Sequence, residues 1–181
     1  MEDYAYILDY LPQGRPDSRK FHKEPIAYAL GENEFKLFEL VPKPNISLTI
    51  EDRVYIGKDL TKRDCILHVK RRIRHEELTI TAQTELPFVI ISIVEKNEDR
   101  FIRFYNEAQA ITTRFNMLEL LPGLGKKTMW AIIEERKKGP FTSFKNFEER
   151  TGIKRPEKLI AKRIEQELAE SDEKYLVFVA K

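Results

Sequence analysis

A change of period near Thr79 divides this 181-residue chain and limits what it can fold into. Before that point, short β-prone runs recur at Tyr4 to Tyr10, Pro25 to Leu30, Phe35 to Val41, Arg53 to Gly57 and Cys65 to Ile73. Turn-rich stretches separate them: Pro12 to Asp17, Gly31 to Glu34 and Pro42 to Asn45. Gly31 to Glu34 has the composition of a tight hairpin. Five short strands at this spacing predict a small closed barrel over residues 1–78, because closure removes exposed sheet edges.

After Thr79 the apolar residues fall three and four apart, the spacing of a helix face. Phe88, Ile91 and Val94, then Phe101, Phe104 and Tyr105, predict one long or two short helices between Thr84 and Ala108. Thr84 is the expected cap, with Pro87 in the first turn, where its missing N–H costs nothing. Residues 79–112 therefore read as a helical connector. Residues 113–170 read as an all-α unit. A helix from Thr113 to Leu121 stops at Pro122-Gly123, and a second runs from Lys126 to Lys138 before Gly139-Pro140. A third is capped by Ser143 and ends at Gly152, and a fourth opens at Pro156 with Ile160, Ile164 and Leu168 on one stripe. The tail, 171–181, has an apolar run from Tyr175 to Ala180 that reads as a short strand.

The stretch Met117 to Arg136 resembles the helix-hairpin-helix motif, and its physics can be read directly. Gly123-Leu124-Gly125 lets the backbone bend sharply. Leu124 points inward as a pin, and the amides of Gly123, Gly125 and the following residues face solvent at a helix start. Unpaired N–H groups and the helix dipole favour an anion there. Lys126 and Lys127 occupy that first turn, where the dipole alone disfavours cations, and Thr128 follows. A phosphate would offset that cost, and a site of this kind holds backbone without reading bases. Leu118, Leu121, Met129, Ile132 and Ile133 are expected core, and Trp130 is expected to pack rather than to stack on bases. Arg136, Lys137 and Lys138 read as solvated partners of the helix dipole. Gly152 lies 29 residues after Gly123, which hints at a second hairpin. Lys154 stands where that copy needs a glycine, so the second hairpin reads as degenerate. Gly125-Lys126-Lys127-Thr128 is no nucleotide-binding P-loop, since Leu120 replaces the required first glycine and no strand precedes it.

A second candidate surface lies between Lys58 and His75, where seven Lys and Arg face only Asp59 and Asp64. Cys65, Leu67, Val69 and Ile73 fall on one expected strand face, with His68, Lys70, Arg72 and Arg74 on the other. Arg71 breaks the alternation, which a strand end or bulge could absorb. A basic strand face suits a phosphate backbone. Arg15, Arg19, Lys20 and Lys23 are placed to flank it, and one or two of Tyr4, Tyr6, Tyr28, Phe35, Phe38 and Tyr55 could stack on bases.

Composition excludes several classes. Basic and acidic residues nearly cancel, 32 against 30, so only local segregation of charge can attract a polyanion. One cysteine rules out an internal disulfide framework. The strongly apolar run Phe88 to Val94 is far short of a bilayer span, and the acidic start does not match a secretion signal, so a cytoplasmic protein with no membrane partner is expected. His22, His68, His75 and Cys65 lack metal-ligand spacing. No nucleophile elbow or nuclease carboxylate pair is present, and Glu134, Glu135, Glu148 and Glu149 read as solvated. No metal, cofactor or catalytic residue is expected.

Several segments together resemble an uncharacterised archaeal family described as predicted OB-fold nucleic-acid-binding proteins. They are Asp9 to Pro16, Val54 to Lys58, Val69 to Ile73, Ile111 to Phe115 and, most strongly, Met117 to Lys127. The resemblance implies an N-terminal OB-like barrel and a C-terminal helix-hairpin-helix domain, hence an α+β two-domain fold. It also implies a setting near translation or RNA processing, with ribosomal or transcription components as partners. The expected function is sequence-nonspecific, non-enzymatic binding of RNA or DNA backbone, with RNA favoured by that setting alone. A protein–protein scaffold of the translation or transcription machinery and a metal-dependent nucleic-acid-processing enzyme are the competing readings.

Overall fold

The β-prone runs of the first 75 positions do form strands, and the three central strands of the resulting sheet are buried on both faces. The computed structural model describes residues 1–16, 23–170 and 172–181; Arg19, Lys20 and His22 lie outside the described residues. Strands β1 (Tyr4–Leu11), β2 (Ile26–Gly31), β3 (Leu37–Pro42), β4 (Arg53–Tyr55) and β5 (Ile66–Ile73) make one antiparallel sheet in the order β4-β1-β2-β3-β5. One face holds Ala5, Ile7, Ala27, Ala29, Leu40 and Ile66, closed over by Leu48, Val54 and Ile56. Three alanines on that side let the sheet curl inward. Tyr6, Leu8, Tyr28, Leu30, Leu37 and Val41 on the opposite face are equally buried. Each such aliphatic side chain contributes about 1.5–3 kcal/mol of hydrophobic free energy.

The β2–β3 hairpin closes with the Gly31 N–H donating to the Lys36 carbonyl at 2.8 Å. The Glu2 carboxylate, 7% exposed, fills the loop and accepts the amides of Asn33 at 2.9 Å and Glu34 at 2.6 Å. A Cβ on Gly31 would meet its Oε1 at 2.2 Å, so any side chain there would displace the Glu2 carboxylate from the loop.

Among the described residues the α-helices and strands that follow are α1 (Ile80–Lys96), α2 (Glu98–Glu107), the strand pair β6 (Ala110–Thr112) and β7 (Phe115–Asn116), then α3 (Lys126–Arg136), α4 (Phe144–Thr151) and α5 (Pro156–Ala169). The chain divides into two compact units, one of residues 1–89 with 167–181 and one of residues 90–166. In the first, the α1 residues Ala82, Leu86 and Val89 are buried, and residues 172–181 carry no strand. The tail is fastened by Glu167, whose Oε1 accepts the amides of Val177, Phe178 and Val179 at 2.7, 3.1 and 3.3 Å.

The second unit centres on aromatic rings, with Phe147 4.3 Å from Tyr105 and 4.8 Å from Phe141 between centroids. Burial pushes the Tyr105 phenol well above its ordinary pKa, and its hydroxyl donates to the Pro156 carbonyl at 2.6 Å. Arg150 of α4 donates to the carbonyls of Glu135, Gly139 and Pro140 at 2.7, 2.8 and 3.0 Å. That satisfies acceptors left over where α3 ends.

The expected two-domain fold, an OB-like barrel joined by a helical connector to an all-α helix-hairpin-helix domain, is corrected at both ends. The sheet is an open half-barrel, because β4 is three residues long and does not pair with β5. The later unit is not all-α. Its expected first helix, Thr113 to Leu121, is instead the end of the β6–β7 pair followed by one 3-10 turn, Met117–Leu120. Asn116 and Glu119 force this: the Asn116 side chain accepts the Leu118 amide at 2.9 Å, and Glu119 accepts the Asn116 amide at 2.8 Å. A capping box starts the turn, and Pro122-Gly123 ends it before a second turn can form. The α1 helix also begins four residues before the expected Thr84 cap. Thr79 caps it by accepting the Ala82 amide at 3.0 Å, while Thr84 donates to the Ile80 carbonyl inside the helix.

Candidate nucleic-acid interface

Two surfaces carry the residues singled out in the sequence, one in each unit. In the second unit, Gly123 takes φ of +84°, a conformation that favours glycine, and the Leu124 amide donates to Leu121 at 3.1 Å to close the bend. Leu124 is buried and pins the turn, as expected, while Gly123 and Gly125 are exposed. Gly125 is the N-cap of α3, and no side chain caps the helix. The amides of Lys126, Lys127 and Thr128 therefore stand at an uncapped helix start. A Cβ built on Gly123 or Gly125 would meet nothing within 4 Å. Beside the turn is an open hollow lined by Glu119, Gly123, Gly125, Arg163 and Gln166.

The two lysines differ. The Lys126 ammonium turns back to donate to the Arg114 carbonyl and to pair with Glu119 at 3.1 Å. The Asn116 amide and then Lys126 itself hold the Glu119 carboxyl below its ordinary range. Lys127 is exposed, with no ion pair among the described residues, and Thr128 is half-buried.

In the first unit the basic face is rearranged by two irregularities in the β3–β5 ladder. The pairing runs Leu37 with Ile73, Phe38 with Arg72, Glu39 with Arg71, then Leu40 with Val69, Val41 with His68 and Pro42 with Ile66. Lys70 and Leu67 are skipped, so strict alternation fails twice. Leu67 is 50% exposed while Ile66 is fully buried, the reverse of the expected face. The extra residue at Lys70 lets neighbouring cations converge on one acid. Glu39, 2% exposed, takes Arg71 at 2.8 Å, Arg15 at 3.3 Å and Lys70 at 3.7 Å. Arg71 also pairs with Glu77 at 2.7 Å, which draws the Glu77 carboxyl down. Arg72 donates to the Ala180 carbonyl at 2.8 Å, and Arg74 pairs with Glu76 at 3.1 Å. His68 and Lys23 are exposed. Much of this stripe is thus engaged by the protein's own acceptors. Arg53 stacks over the Tyr4 ring at 3.6 Å and is held by Glu32 at 2.8 Å, so that aromatic face is occupied too.

Sequence reasoning missed Trp130, which is 55% exposed rather than packed. The signal was present: Met129, Trp130, Ile132 and Ile133 span too wide an arc for one helix face to bury all four. Met129 and Ile132 are buried and Trp130 is turned out. Arg136, expected to be solvated, is half-buried and donates to the Tyr105 carbonyl at 3.1 Å. Among the described residues no cluster of three His, Cys, Asp or Glu is placed to hold a metal, and no helix is long and apolar enough to cross a membrane.

The uncharacterized protein MJ0038 of Methanocaldococcus jannaschii is 54% identical over 179 residues, which is 98% of this chain and 80% of that protein. The crystal structure of Af1531 from Archaeoglobus fulgidus, a DUF655 protein, matches 99% of this chain and all of its own, with a TM-score of 0.92 and 49% identity. The family described as "Protein of unknown function (DUF655)" matches residues 1–180. The chain belongs to that family.

Proposed function

We propose that this chain is a non-enzymatic nucleic-acid-binding protein that holds the sugar–phosphate backbone at the Gly123–Thr128 turn without reading base sequence. The observation that carries the reading is Gly125. Its φ of −91° is open to any residue, and nothing lies within 4 Å of the Cβ it lacks. Neither backbone conformation nor packing calls for glycine there. Serine, aspartate or asparagine would cap α3 better from within. Glycine leaves the amides of the first turn to an outside anion, with the dipole and Lys127 acting in the same direction. Contacts of this kind position a polymer and carry no sequence information. Phosphate chemistry alone treats RNA and DNA alike, and the preference for RNA rests on the family resemblance. The basic residues His68, Lys70, Arg72 and Arg74 serve as a secondary, weaker surface, because internal partners already draw on three of them.

The test is equilibrium binding of labelled RNA and DNA oligonucleotides across a salt series. Lys127→Ala is expected to weaken binding and lower the log K against log[salt] slope by about 1, and Lys126→Ala/Lys127→Ala by only slightly more, because Glu119 already holds Lys126. Unchanged affinity and slope in the double variant would overturn the reading in favour of a protein–protein scaffold.

A further inference from the structure

We infer that Trp130 is a stacking platform for an unpaired base, so that the polymer held at the glycine turn is single-stranded. This rests on the phosphate-binding reading above and adds a substrate class to it. On α3, Met129 and Ile132 face the interior at 4% and 0% exposure, whereas Trp130 is 55% exposed. An indole is costly to leave in water, and tryptophans are highly buried on average. Among the described residues Trp130 has no ring contact, cation partner or hydrogen bond.

Its place on the helix supplies the reason. Lys126 and Lys127 lie four and three residues before it, so all three share one flank of α3 about one turn apart, roughly 5 Å along the axis. That offset matches the reach of one nucleotide from its phosphate to its base. With a phosphate at the first-turn amides, the attached base comes to lie over the indole. The one acidic residue further along that flank, Glu134, is neutralised by Lys137 at 2.9 Å. In a duplex both faces of every internal base are covered by neighbouring pairs, so away from the duplex ends only an unpaired base can present a face to Trp130. Stacking of this kind tolerates any base, in keeping with a site that grips backbone.

The experiment uses the full chain, labelled single-stranded oligonucleotides and blunt duplexes of equal length, with intrinsic tryptophan fluorescence as a second readout. Single strands are expected to bind more tightly than duplex and to quench the Trp130 emission. Trp130→Ala should weaken single-strand binding roughly 10-fold or more while leaving duplex binding unchanged. Trp130→Phe should restore most of the loss, and thermal melts should match wild type because the side chain is on the surface. Equal affinity for single strand and duplex, unaltered by Trp130→Ala, would overturn the stacking inference and leave the phosphate site standing. Failure of the wild-type chain to bind either form would overturn the phosphate reading itself. A concentration-dependent blue shift of the emission without nucleic acid would assign Trp130 to contact with a second copy and overturn the inference as well.

Discussion

Glu119 sets how much charge the glycine turn presents. It caps the 3-10 turn through the Asn116 amide and at the same time holds Lys126 at 3.1 Å. Glu119→Gln keeps an acceptor for that amide and removes the negative charge. Affinity for an oligonucleotide should then rise several-fold, and the salt slope should steepen by up to about 1 as Lys126 becomes available to phosphate. A titration at three salt concentrations reads both. The two glycines should separate in the same way. Gly123→Ala meets no neighbour but forces φ of +84° on an L-residue, at a cost of about 1–2 kcal/mol in a denaturant melt. Gly125→Ser, whose hydroxyl can cap α3 from within, should leave stability equal or slightly higher and lose oligonucleotide affinity as the first-turn amides are taken. At this scale the sequence was most legible where chemistry is local: Leu124 as pin, Gly123 as bend, Ser143 and Gly152 as caps. The pairing of Lys126 with Glu119, seven residues apart, was not legible, because it depends on a turn whose form is set by Asn116.

At the scale of elements, Arg150 fixes how α3 stops. Its guanidinium meets three carbonyls, pairs with Glu135 at 3.2 Å and lies 4.6 Å from the Phe141 ring centre. Arg150→Ala leaves those acceptors short of donors and should cost the second unit about 2 kcal/mol. A lowered urea midpoint with an unchanged m-value would report it. Boundaries of α3, α4 and α5 could be read within a residue or two, because Gly139, Ser143, Gly152 and Pro156 punctuate the chain by their own geometry. The false helix ahead of Pro122 has the opposite cause. Leu118 and Leu121 have helical spacing, but a cap at Asn116 and a proline at position 122 leave room for a single turn. Spacing carries no information about how many turns a segment is allowed. For the same reason β5 kept its apolar residues but lost its alternation, since bulges at Leu67 and Lys70 are fixed by the partner strand.

For the whole molecule, acid should be the most damaging condition. Glu34 is held down to about 2, first by Lys36 and then by the amino terminus. Partners draw Glu77, Glu119 and Glu135 below their ordinary values as well. A carboxyl depressed in the folded state adds stability that is full above its unfolded pKa, near 4.5 for Glu34, and is lost as pH falls toward 2. Melting temperature should therefore decline steeply between about pH 4.5 and 2, and Glu34→Gln should flatten part of that decline by lowering the plateau above it. The order of strands before helices was visible in the change of period near Thr79. Whether the sheet closes was not, since that turns on two edge strands meeting, and β4 is only three residues long. The division of the chain has one more consequence. Residues 167–181 return to the unit begun by residues 1–89, and Glu167 anchors them there. A ribosome making this polypeptide delivers that piece only after residues 90–166. The five-stranded sheet has all its strands by residue 73, but the packing that Glu167 and the tail add to that unit can form only once residues 90–166 have been made.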